Sequence, residues 1–119
     1  MTHYRFLAES TAAAIILAGI VLVGLNGSAY PHEAIPTATQ PLGWTYGWEC
    51  CSMRDCKELP KDEIKATPIG WKVESTGEVI PYGDKRVKQS KDERFHRCAR
   101  GGDFSLPTSI CLYVPDMGF

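Results

Sequence analysis

The chain has 119 residues, 13 Lys and Arg against 14 Asp and Glu, a net charge of −1 and 44% hydrophobic residues. This length leaves room for one small domain, and the balanced charge gives no global attraction to nucleic acid or acidic lipid.

Ala12 to Leu25 runs fourteen residues without a charge. That is too short for a membrane span, which needs about 17–25 residues, and fits the apolar region of a signal peptide. Asn26-Gly27-Ser28-Ala29 supplies small residues where a signal peptidase reads. The expected organisation is therefore a signal peptide over 1–29, an extended linker over 30–41 and a small domain over 42–119. An uncleaved anchor is the alternative. No cysteine follows the apolar run directly, which argues against a lipid anchor. Cleavage after Ala29 leaves no stable membrane span, and the product would be periplasmic or secreted.

The mature chain would hold 90 residues with 12 basic and 13 acidic side chains. A domain of that size hides only about 60–70% of its unfolded surface, so its net stability is small. In an oxidising compartment its cysteines take a structural role.

Tyr30 to Gln40 reads as extended, with Pro31 and Pro36 and no hydrophobic period. His32 would be third in the mature chain, the position of an amino-terminal copper or nickel site. Pro31 has no amide proton to lose, so that site cannot form. Trp44, Tyr46 and Trp48 follow at period two, on one face of an extended segment. Such a row is either core or a platform for a sugar or peptide.

Cys50-Cys51-Ser52-Met53-Arg54-Asp55-Cys56 then places three of the five cysteines within seven residues. Ser52 with Asp55 resembles a capping box that could open a helical turn, and Pro60 to Lys65 reads as a second short helix. Pro68 stops it. Trp71 to Glu74, a Ser-Thr-Gly turn and Glu78 to Ile80 read as a hairpin. Arg86 to Gln89 reads as an edge strand, and Phe95 to Cys98 and Ile110 to Val114 as the last two strands. The irregular loop from Arg100 to Pro107 is expected to be pinned by Phe104 and Leu106. The fold class expected is α+β, mostly β: a small antiparallel sheet from about Trp71 to Val114, one or two short helical turns, and disulfide staples.

Cys50-Cys51-Ser52-x-x-Asp55-Cys56, Gly77-Glu78-Val79-Ile80-Pro81, Phe95-His96-Arg97-Cys98 and Cys111-Leu112-Tyr113-Val114-Pro115 occur in that order. Together they resemble the signature of a family of small exported bacterial proteins of unknown function. The resemblance covers about Trp48 to Pro115. It implies export and one compact domain, and it supplies no catalytic residue.

Cys50, Cys51, Cys56, Cys98 and Cys111 allow two disulfides and one leftover thiol. Bridging adjacent Cys50 and Cys51 would close a strained ring. Bridges from the 50–56 segment to Cys98 and Cys111 would close loops of about 45–60 residues, worth about 4 kcal/mol each, against about 3 for a local Cys98 to Cys111 bridge. The expected pairing is Cys50 or Cys51 with Cys98, and Cys56 with Cys111.

Two alternatives use the same residues. Cys51, Cys56, His96 and Cys98 offer ligands for zinc or cuprous copper, although the spacing matches no C-x2-C pattern. A cysteine nucleophile with His96 as base and Asp55 as orienter can also be written, but no C-x-x-C redox motif exists. His96 is otherwise expected on the solvent face of a strand.

Lys85, Arg86, Lys88, Lys91, Arg94, Arg97 and Arg100 exceed Asp84, Asp92 and Glu93 by four charges. They read as a solvated sheet face whose edge is protected by charge, or as a contact for an anionic envelope polymer. The function expected is a non-enzymatic binding or interaction module of the cell envelope, without cofactor. Trp44, Tyr46, Trp48, Lys88, Arg94 and Arg97 are its candidate ligand residues, and an envelope protein or anionic polymer its partner. No nucleic acid partner is expected.

Overall fold

A computed structural model describes residues 30–118, so the expected signal peptide lies outside the described residues. The strands are β1 (Glu33–Ala34), β2 (Trp44–Thr45), β3 (Cys56–Glu58), β4 (Ile64–Ala66), β5 (Gly70–Val73), β6 (Val79–Pro81), β7 (Val87–Gln89), β8 (His96–Cys98) and β9 (Cys111–Val114). A 3₁₀ turn at Arg100–Gly102 is the sole helical element among the described residues. The domain is mostly β, as its alternating pattern predicts.

The organising unit is a four-stranded sheet in the order β3-β8-β9-β7, in which β7 runs parallel to β9 and the other pairs are antiparallel. All four residues of β9 are buried. The reason is visible in its period of two. Cys111 and Tyr113 face a core of cysteines and aromatic rings, while Leu112 and Val114 face a second core with Leu59, Ile64, Trp71, Val73 and Ile80. The sheet thus separates two small cores, and each is closed by other elements of the chain.

The aliphatic core is covered by the three-stranded sheet β4-β5-β6. Its β5–β6 hairpin turns at Gly77, whose φ of +76° is the left-handed conformation that glycine adopts without a Cβ clash. At Gly70 a Cβ would lie 2.2 Å from the Ile80 carbonyl oxygen, so no larger residue fits there without moving β6. The helix expected over Pro60 to Lys65 is absent. Thr67 accepts and donates across a tight turn to Gly70, with Pro68 and Ile69 at its corner, and Ile64 and Ala66 pair instead with Val73 and Trp71. A six-residue helix is unstable alone, and burial of Ile64 against β5 outweighs its propensity.

The turn expected at Ser52 also forms without a helix. Asp55 accepts hydrogen bonds from the Ser52 amide (3.2 Å) and hydroxyl (2.8 Å), and the chain then enters β3. The 30–41 segment, expected as a linker, is extended but attached. Glu33 and Ala34 pair with Thr45 and Trp44, and the His32 amide donates to the Met53 carbonyl. Burial of Ala34 against Trp44 ties it down.

The disulfides are Cys50–Cys111 and Cys56–Cys98, and Cys51 is a free thiol. This corrects the expected partners and removes Cys51 from the bridging set. The cause is strand register: Cys56 lies opposite Cys98, and Cys98 opposite Cys111, in one row across three strands. Cys56 takes its immediate neighbour, and Cys50 descends from the preceding turn onto Cys111.

Arg97 was a candidate surface ligand residue, yet it is 1% exposed. Its guanidinium donates to Ser109 Oγ (2.7 Å) and to the carbonyls of Phe104 (2.8 Å) and Leu106 (2.6 Å). The irregular loop is held mainly by this arginine, with Lys57 over the Phe104 ring at 4.1 Å. Arg97→Lys keeps the charge and loses the planar fork. We expect a loss of about 2–3 kcal/mol, from two or three hydrogen bonds of about 1 kcal/mol each. Urea melts would measure it, and faster amide exchange confined to residues 100–109 would locate it.

Candidate functional site

Three places bring chemically capable side chains together: the aromatic–histidine core, the Cys51 thiol with His32, and a cleft beside β8. The first is built by β2 and β8. Trp44 and Tyr46 point inward onto Tyr113 and His96, with ring centroids 4.8–5.6 Å apart in edge-on or tilted contacts. Trp48 does not join them and is 83% exposed, because the chain turns there: the Cys50 and Cys51 amides both donate to the Gly47 carbonyl. The aromatic row is therefore divided, two rings in the core and one in solvent.

His96, expected on the solvent face, is 0% exposed. Its Nε2 lies 2.8 Å from Asp92 Oδ1, and its Nδ1 lies 2.7 Å from the Tyr46 hydroxyl. A carboxylate accepts only, so the arrangement that satisfies each donor has Nε2–H donating to Asp92 and Tyr46 O–H donating to Nδ1. Asp92 also accepts from Trp44 Nε1 (2.8 Å), the Ser90 hydroxyl (2.9 Å) and the Arg94 amide (3.0 Å). Burial by itself would raise the Asp92 pKa. The hydrogen bonds from Trp44, His96, Arg94 and Ser90 outweigh it and hold the carboxyl below the usual range. Burial, reinforced by the Asp92 charge, pushes the Tyr46 phenol well up. Among the described residues no buried side-chain nitrogen or oxygen lacks a partner, so this Asp–His–Tyr array is a closed structural network.

Cys51 is 1% exposed, and its sulfur lies 3.3 Å from His32 Nδ1. The same Nδ1 lies 2.5 Å from the Met53 carbonyl, which can only accept. That nitrogen therefore carries the proton, and the sulfur is a second acceptor beside it. The expected trio is not assembled: His96 is bound to Asp92 and Tyr46, and Asp55 to Ser52. His32 is the thiol neighbour that the pattern missed, since its 19-residue separation from Cys51 carries no spacing signal. The metal set Cys51, Cys56, His96 and Cys98 is overturned too, because Cys56 and Cys98 are bonded to each other and offer no thiolates. No group of three or more His, Cys, Asp or Glu among the described residues is placed to hold a metal ion.

Part of the basic run is paired or buried, while Lys85, Lys91 and Arg100 are exposed with no ion pair among the described residues. Arg86 pairs with Asp84 (2.8 Å) and Glu78 (2.9 Å), Lys88 approaches Glu49 at 3.9 Å, Arg94 pairs with Glu58, and Arg97 is buried. The Arg86 hydrogen bonds lower the Asp84 pKa to about 2. Of the ligand candidates, Trp44, Tyr46 and Arg97 are core residues, while Trp48, Lys88 and Arg94 reach the surface.

The third place is a cleft of about 660 Å³ where β3 ends and β8 begins. Leu59, Phe95, Pro115 and Met117 give it apolar lining, and Glu58, Glu93, Lys61 and Arg94 add two acidic and two basic side chains. The Leu59 amide donates to the Phe95 carbonyl (2.9 Å), which sets the two side chains beside each other. Phe95 is backed edge-on by Trp71 at 5.5 Å. No helix among the described residues is long and apolar enough to cross a membrane. Comparisons with protein-family models, curated proteins and solved structures give no match to this chain.

Proposed function

We propose that this chain is an exported, non-enzymatic binding module of the cell envelope, periplasmic or secreted. The observation that carries the reading is the use already made of the reactive groups. Four cysteines are in disulfides, His96 is enclosed by Asp92 and Tyr46, and the His32 nitrogen facing Cys51 donates to a carbonyl. Two surface clefts stay open to a ligand, one beside β8 and one of about 370 Å³ lined by Arg86, Arg100 and Leu106 to Ile110, and both volumes fall within the about 300–1,000 Å³ usual for small-molecule sites.

Two disulfides fit an oxidising environment, and the fourteen-residue apolar run Ala12 to Leu25 supplies the export signal. The resemblance to small exported bacterial proteins of unknown function supports the same reading. Pairing of Arg86, Lys88 and Arg94 reduces the free part of the basic run to Lys85, Lys91 and Arg100, and the partner proposed is an envelope protein or an anionic polymer.

Expression of the complete chain in a bacterial host tests this. The expected product is in the periplasmic or secreted fraction, begins at Tyr30 and contains both disulfides. It carries one alkylatable thiol, Cys51, which reacts only after denaturation because burial shields it. Recovery from the cytosol with an intact N-terminus and five reactive thiols would refute the proposal.

A further inference from the structure

The hairpin tip between β1 and β2 is turned inside out. Residues 35–42 join the two paired strands, and the threonines among them are tied inward. Thr37 is 8% exposed, and the hydroxyls of Thr37 (3.2 Å) and Thr39 both donate to Glu93. The apolar side chains point out instead: Ile35 is 70% and Leu42 91% exposed, with Pro36, Ala38 and Pro41 exposed between them. A single surface leucine is ordinary, but a pinned loop that buries a threonine and exposes its isoleucine and leucine presents a contact surface.

Three features say what the tip meets. No charged residue lies between Ala34 and Trp48, so the tip offers nothing to an ionic partner. Its free backbone donors are few. Pro36 and Pro41 have none, the Thr37 (3.0 Å) and Gly43 (2.9 Å) amides donate to the Gln40 carbonyl, and the Gln40 amide (3.2 Å) donates to Thr37 Oγ1. A loop so satisfied loses little on leaving water, which is what contact with lipid requires. The apolar run that directs export ends at Leu25, ten residues before Ile35, so the tip is delivered within about 35 Å of the bilayer. Resting on the export reading, we infer that the tip is a peripheral membrane contact, with Ile35 and Leu42 inserted into the interface of a phospholipid bilayer. Glu93, bonded to the threonines and 3.7 Å from Arg94 Nε, marks the depth at which insertion stops.

The test uses the processed, disulfide-intact chain recovered from the periplasm, floated with phosphatidylcholine vesicles and with vesicles that also contain phosphatidylglycerol. Binding to both is expected, and high salt should not reduce it, because burial of apolar side chains carries it and no ion pair does. Leu42→Ser and Ile35→Ser should each weaken binding about ten-fold, and Leu42→Phe should retain it. Ile69→Ser, on the β4–β5 turn where the side chain is 71% exposed, should leave binding unchanged. Binding confined to the anionic vesicles and lost in salt, or an equal loss from Ile69→Ser, would overturn the inference. So would self-association that Leu42→Ser abolishes while vesicle binding stays the same, since the tip would then belong to an interface with a second copy. No binding by protein that begins at Tyr30 and holds both disulfides would overturn the membrane contact and leave the export reading standing.

Discussion

Replacing Cys50 and Cys111 by Ala, or Cys56 and Cys98 by Ala, should each lower stability by about 4 kcal/mol, and replacing all four should leave the chain unfolded. The two bridges close sequence separations of 61 and 42 residues. In the chain-entropy model the stabilisation grows only logarithmically with loop length, so the two are worth nearly the same. Domains of this kind are stable by about 5–15 kcal/mol in total, which makes the loss of both bridges decisive. Because a bridge acts mainly on the unfolded chain, the urea dependence should steepen in each double variant as the released chain exposes more surface. Unfolding midpoints and slopes measured together check this. A lower midpoint without a steeper slope would show that the bridges act through native packing instead.

Asp92→Ala should be the most damaging single substitution outside the cysteines, at about 3–5 kcal/mol. It removes the acceptor shared by Trp44, His96, Ser90 and the Arg94 amide, and leaves those donors unpaired in a closed core. Each buried polar group left without a partner costs about 1–3 kcal/mol, partly relieved by relaxation. Asp92→Asn keeps the volume but directs an N–H₂ toward other donors, so it should recover only part of the loss. The effect depends on pH with a definite sign. The folded Asp92 pKa lies below its unfolded value, so its contribution is fully present above about pH 4 and disappears as pH falls through the folded pKa. The stability gap between wild type and Asp92→Asn should therefore narrow below about pH 4. Other lowered carboxyls, such as Asp84 and Asp103, titrate in both proteins and cancel in the difference.

How much of the site was legible in the sequence follows from what a pattern of period two can encode. Alternation places Trp71 and Val73 on one face and Lys72 on the other, and the hairpin to Ile80 forms as that pattern predicts. The same alternation puts His96 and Cys98 on one face of β8 with Arg97 on the opposite one. It cannot say that both faces are covered. A strand bounded by polar turns reads as half-solvated, so a histidine and an arginine in it read as surface residues. Both are buried because β8 lies inside the sheet, between β3 and β9. Trp48 shows the converse: it extends an inward aromatic period, yet the turn onto Gly47 redirects it to solvent. The cleft left no local signal, since its residues come from three separated stretches, 58–61, 93–95 and 115–117.

The sequence by itself determined that this is a small, mostly β domain with cysteines suited to disulfides, because alternation, turn residues and cysteine number are local properties. It also determined the hairpin and the last strands, whose turns and apolar positions lie close together in the chain. Only the tertiary structure decided which cysteines pair, because that depends on the register that sets Cys56, Cys98 and Cys111 in one row. It likewise decided that the segment from Cys50 to Cys56 contributes two bridged cysteines and one buried free thiol. Adjacent cysteines on one turn are directed to different partners, and their separation along the chain carries no record of that direction.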